Sequence, residues 1–155
     1  MRSKPRKSKL EIVIQCATPS IESNLTKTIS LALIKKWVQT GIHCGGLITL
    51  RFVNASEGKK LNSVFRKKDY ATNVLTFPYE HTNDTVIADI IFCLPVIQKE
   101  ARDQNKSLKA HLAHLIIHGC LHAQGHDHEI AKEAKKMESL EIQLLEILGF
   151  TNPYQ

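Results

Sequence analysis

Cysteine is scarce and scattered: Cys16, Cys44, Cys93 and Cys120 are the whole complement of the 155 residues, and no two form a CxxC pair. That argues against a small disulfide-stapled scaffold and for a reduced, cytoplasmic compartment. No stretch approaches the ~20 apolar residues of a membrane-spanning helix, so no membrane role is expected. The basic opening MRSKPRKSKL leads into no apolar run of signal type before the polar segment Thr18–Ser23, so no secretory leader is expected. Hydrophobic residues make up 43% and charged residues 23%, as in ordinary folded domains. A chain of this length buries roughly 70% of its surface without covalent help.

Acidic residues are in the minority, 15 against 21 basic, for a net charge of +6. Residues 1–9 carry five of the basic side chains and are expected to form a flexible arm, with residues 10–155 as one domain. A second basic cluster comprises Lys59, Lys60, Arg66, Lys67 and Lys68. A surface of this sign attracts polyanions, of which RNA is the commonest in the cytosol.

Alternation of Leu10, Ile12, Ile14 and Cys16 predicts a strand over Leu10–Ala17. Leu25, Ile29, Ala32, Leu33 and Trp37 then recur at helical spacing, predicting one helix from Pro19–Ser20 to a stop at Gly41. Leu47–Asn54 reads as a second strand. Ser56 is placed to cap a short helix with Leu61, Val64 and Phe65 on one side. Asn73–Phe77 and Thr85–Cys93 read as strands joined by the loop Pro78–Asp84. Pro95 suits the first turn of a helix to about Gln104. Ser107 can cap a helix running to Gln124, which Gly125 ends. A last helix carries Ile130, Ala134, Met137, Leu140, Leu144 and Leu148. The order β-α-β-α-β-β-α-α-α predicts an α+β domain, with a small mixed four-stranded sheet and about five helices.

Six of the eight histidines fall in the segment HLAHLIIHGCLHAQGHDH, residues 111–128. His118 and His122 are one helical turn apart and share a face, so both rings can reach one ion. Gly125 lets the backbone turn sharply and return a third imidazole, His126 or His128. Three histidines and an open position make a catalytic rather than a structural metal arrangement. An open position can hold a water with its pKa lowered to ~7. His111 and His114 are expected to be ordinary residues on an exposed helix. The metalloprotease motif HExxH needs Glu after its first His, but position 119 is glycine, so any proton acceptor must come from elsewhere: Asp127, His126 or the substrate. Asp127 can support a ligand histidine or cap the last helix.

Arg66 can grip a phosphate bidentately or pair with Asp69. Lys67 and Lys68 add charge beside it. Phe77 and Tyr79 end a strand and offer faces for base stacking, although core packing is the better expectation for Phe77. Thr72 and Asn73 suit a turn, and His81 takes no role.

The run His118-Gly119-Cys120-Leu121-His122-Ala123-Gln124-Gly125-His126-Asp127-His128 closely resembles the YbeY signature HGxLHLxGYDH, that of bacterial rRNA maturation factors regarded as single-strand-specific metallo-endoribonucleases. Leu61–Pro78 resembles a second block of that family, with its TNVLSFP-like strand, and Thr85–Pro95 a third. His126 stands where the family usually has Tyr, Ala123 where it often has Leu, Ala88 where it often has Gly, and Thr76 where it usually has Ser. The resemblance implies one zinc ion held by His118, His122 and His128, and so selects His128 over His126. Other divalent transition metals also suit imidazole. It further implies Arg66 as a functional residue of the substrate cleft. The implied activity is cleavage of single-stranded RNA in maturing the 3′ end of small-subunit ribosomal RNA and in ribosome quality control. The small ribosomal subunit is the implied partner, and no nucleotide cofactor is expected. The alternatives are a metal hydrolase of another substrate, or a non-catalytic RNA- or ribosome-binding factor with a structural metal.

Overall fold

Four strands form one mixed sheet, in the order β1 (Leu10–Cys16), β2 (Gly45–Val53), β4 (Thr85–Cys93) and β3 (Val74–His81). The computed structural model describes residues 9–68, 70–126 and 130–155. Apart from Lys9, the expected basic arm lies outside the described residues, as do Asp69, Asp127 and His128. The elements are β1 (Leu10–Cys16), α1 (Pro19–Thr26), α2 (Leu31–Gly41), β2 (Gly45–Val53), α3 (Ala55–Arg66), β3 (Val74–His81), β4 (Thr85–Cys93), α4 (Leu94–Asp103), α5 (Leu108–Ala123) and α6 (Ala131–Ile147). None of the described helices is long and apolar enough to cross a membrane.

β1 and β2 pair in parallel, as do β2 and β4, while β3 returns antiparallel on β4. One register row therefore runs Val13, Thr49, Asp89, Phe77 across all four strands. Ile48, Leu50 and Phe52 of β2 and Val86, Ala88, Ile90 and Phe92 of β4 point to one face. There they meet Leu25, Ile34, Trp37, Leu112, Ile116 and Ile117 in the main core. The alternate residues Val53, Leu75, Ile91 and Cys93 form a smaller cluster on the other face, joined by Leu61 and Phe77. Pro78 interrupts no central ladder, because β3 is an edge strand and a bulge falls between Pro78 and Glu80.

The structure corrects the sequence reading in several places. The single helix expected before Gly41 is two: Ser30 Oγ accepts from the Leu33 N–H at 3.1 Å and starts α2 afresh. Six helices result rather than five among the described residues. Asn54, not Ser56, caps α3, its side chain accepting from the Glu57 N–H at 2.9 Å. Val64 and Phe65 do not lie under α3: they are 63% and 61% exposed, and buried Asn62 faces inward. The loop Pro78–Asp84 shrinks to three residues, because β3 runs on to His81. His111 is 5% exposed, not on an open face, because α2, α4, α6, β3 and β4 surround α5.

Candidate active site

A cleft of about 490 Å³ opens where α3, β3 and α5 meet, lined by Phe65, Arg66, Thr72 to Phe77, His118 and His122. Each wall has a local cause. α3 ends on Lys67 in the left-handed conformation (φ 55°), with the Lys67 and Lys68 N–H groups donating to the Ser63 and Asn62 carbonyls. That closure sets Arg66 on the last turn, and no acidic side chain among the described residues pairs with it. Buried Asn62 donates to the Tyr70 carbonyl at 2.7 Å and ties the following turn back to the helix. Asn73, on the cleft wall, donates to the Glu100 carboxylate at 3.1 Å, and His111 Nε2 meets the same carboxylate at 3.1 Å.

α5 carries the two histidines, and Gly119 lets it sit directly on the sheet. A Cβ there would stand 3.0 Å from Ile90 Cγ2. A side chain at this position would have to displace Ile90 by a few tenths of an ångström. The rings of His118 and His122 lie 6.1 Å apart between centroids. Gln124 anchors the end of α5, donating to the Gly41 carbonyl at 2.6 Å and accepting from the His43 N–H at 3.0 Å. Gly125 then turns the chain with φ +91°.

Both rings are oriented from behind. His118 Nδ1 lies 2.6 Å from Glu141 Oε1, and Glu141 is fully buried on α6. The same carboxylate accepts from the Tyr154 hydroxyl and has His114 Nε2 at 3.5 Å. Burial alone would raise the Glu141 pKa; the hydrogen bonds from His114, His118 and Tyr154 outweigh it and hold the group at about 2. His122 Nδ1 lies 3.0 Å from the His126 carbonyl. Carbonyl and carboxylate oxygens only accept, so each ring carries its proton on Nδ1 and, when neutral, its lone pair on Nε2. This tautomer suits a divalent ion, and buried carboxylates or carbonyls behind a histidine are its usual support. Among the described residues no three His, Cys, Asp or Glu side chains converge as a metal-holding group. The expected third ligand, His128, and Asp127 both lie outside the described residues.

The His126 imidazole is pushed below its ordinary pKa by burial and by Lys136, His43 and His81. Lys67 and Lys68 follow Arg66 at the rim and are exposed. Tyr79 lies farther along β3, outside the cleft lining, with its hydroxyl donating to Asp89 at 2.8 Å. That bond, with burial second, raises its pKa. Phe77 is half-buried: it packs on the smaller apolar cluster and also reaches the cleft. Sequence reasoning missed Glu141 and Phe65. Glu141 had a signal, since it sits at i+4 from Met137 on the apolar stripe of α6.

Residues 11–149 match the family model described as Endoribonuclease YbeY. The chain is 67% identical over 147 residues to "Endoribonuclease YbeY" of Polynucleobacter asymbioticus, covering 95% of each chain. It is 49% identical over 156 residues to the protein of the same name from Herminiimonas arsenicoxydans, covering 96% of this chain and 97% of that one. A solution structure of a Thermotoga maritima protein shares the fold with a TM-score of 0.51 at 23% identity, over 93% of this chain and 99% of that one.

Proposed function

The chain belongs to the endoribonuclease YbeY family, and on that footing we propose that it cleaves phosphodiester bonds of single-stranded RNA in the cleft between α3, β3 and α5. The observation that carries this reading is that Arg66 and the His118–His122 pair, 52 positions apart in sequence (118 − 66), line one cavity. Zinc is the proposed cofactor, with His118, His122 and His128 as its ligands. When bound, a divalent ion supplies Lewis acidity to phosphodiester hydrolysis.

The chain's own residues do the rest. The Arg66 guanidinium holds the phosphate by two parallel hydrogen bonds and offsets the charge that grows on it. Lys67 and Lys68 extend the positive rim along the backbone, and Tyr79 flanks the strand beyond it. Glu141 and the His126 carbonyl keep the two rings in one tautomer. The His126 imidazole, its pKa held below the ordinary value first of all by burial, and Asp127 are the proposed proton carriers. Residues 1–9 act as a basic arm and residues 10–155 as the catalytic domain. The proposed substrate is the 3′ end of small-subunit ribosomal RNA, on or beside the small subunit, in rRNA maturation and ribosome quality control. The proposed compartment is the cytoplasm, with support from four unbridged cysteines.

The test joins metal analysis to cleavage of a defined unpaired RNA. Purified protein is expected to carry about one ion per chain and to cut the RNA. His122→Ala is expected to lose both ion and activity; Arg66→Glu is expected to keep the ion and lose cleavage. Cleavage by His122→Ala in chelator at the normal rate overturns the reading. Tight, salt-dependent RNA binding with no product favours a non-catalytic binding factor instead.

A further inference from the structure

Gly58, Leu61, Asn62 and Phe65 share one stripe of α3, at helical spacing. The first three positions are wholly or partly buried, but Phe65 is 61% exposed. The stripe has run past the apolar cluster at that point, and the ring overhangs the cleft instead. It is not loose there. Phe77 meets it at a ring-centroid distance of 5.1 Å and an interplanar angle of 67°. An edge-to-face contact of this kind braces a ring and leaves a flat face available. Arg66 is the next residue and lines the same cavity. A cationic group and an exposed aromatic face, side by side in one cleft of a basic protein, complement a nucleotide whose base is unpaired.

We propose that Phe65, braced by Phe77, is the base-stacking platform that selects unpaired nucleotides for this cleft, while Arg66 holds the adjoining phosphate. The inference rests on the RNA-cleaving reading and deepens it. A base inside a duplex has both faces covered by its neighbours, so it cannot stack on Phe65 while Arg66 holds its phosphate. An unpaired base can. Selection for single strands then follows from one ring, with no reading of base identity, because every base has a π-face. Tyr79 does not fill this role, since it lies outside the cleft lining.

The experiment measures binding of a short unpaired 2′-O-methyl RNA, by fluorescence anisotropy, to the full-length protein as purified. Phe65→Ala and Phe65→Leu are expected to weaken binding about 5- to 100-fold, the equivalent of one lost base–aromatic stack. Phe65→Trp is expected to bind at least as tightly as the unaltered protein. The salt dependence should keep its slope in all three, since no phosphate contact is lost, whereas Lys67→Ala should flatten it. An oligonucleotide of the same length with its bases removed should bind the unaltered protein and Phe65→Ala equally well. Equal losses for Phe65→Ala on the intact and base-free oligonucleotides, or no loss on the intact one, would overturn the proposal. Comparing the two oligonucleotides on the unaltered protein needs no variant to fold: equal affinity there also overturns it. If the unaltered protein cuts no RNA, the catalytic reading fails, while these binding comparisons still decide the role of Phe65.

Discussion

Replacing Glu141 by glutamine tests whether the carboxylate behind His118 sets the affinity of the proposed metal site. The change is nearly isosteric, so the packing of α6 on α5 is kept. It removes one acceptor oxygen and the charge. In the native arrangement Oε1 faces His118 Nδ1 at 2.6 Å, while Oε2 faces the Tyr154 hydroxyl and His114 Nε2, the latter at 3.5 Å. A glutamine side chain can accept on one side only. If its oxygen faces His118, the amide group meets the Tyr154 hydroxyl, which must turn round to accept. If its amide faces His118, that ring must place its lone pair on Nδ1 and its proton on Nε2, where a metal ligand needs a lone pair. Loss of such support behind a ligand histidine typically weakens metal binding 10- to 100-fold, or about 1.4–2.7 kcal/mol. Chelator-competition titration with zinc reads this directly, and thermal unfolding of the metal-free proteins checks the fold. Glu141→Gln protein that folds normally and binds zinc within twofold of the unaltered protein would refute the reasoning. If the unaltered protein binds no zinc, the proposed ligand set itself fails.

Gly119→Ala is expected to cost about 1–3 kcal/mol in urea unfolding, because its Cβ would press on the Ile90 side chain, with Cγ2 at 3.0 Å. Ser107→Ala should cost about 1 kcal/mol by losing the bond its hydroxyl accepts from the Ala110 N–H at 3.0 Å, and Ser107→Asp should restore it. Burial pushes the Cys120 thiol from 9.0 up to about 12. The unfolded chain therefore releases that proton first, and the contribution to stability is full below pH 9 and falls away as pH rises towards about 12. Stability curves of the unaltered protein and Cys120→Ala should therefore converge across that window. An alkylating reagent at neutral pH should label the half-buried Cys16 and Cys44 well before Cys120.

Several features of this chain were legible because their causes are local. The Ser107 cap, the Gly125 turn and the shared face of His118 and His122 each follow from a few neighbouring residues, and the alternation in Leu10–Cys16 marks a strand on its own. The α1–α2 break was not legible. Ile29 is 1% exposed at the elbow, so the apolar spacing continues through a point where the backbone does not. Burial of His111 escaped for another reason: its α5 is packed against α2, α4, α6, β3 and β4, which no single-helix pattern can show.

The sequence by itself determined the four strands and most of the helices, the basic character and the family, because propensity, caps and motif spacing act within a turn or two of the chain. Only the tertiary structure decided that Arg66 shares a cavity with two histidines of α5, that Phe65 hangs over that cavity, and that Glu141 stands behind His118. Those meetings depend on how α3, β3, α5 and α6 pack, and packing is settled by contacts between residues far apart in sequence.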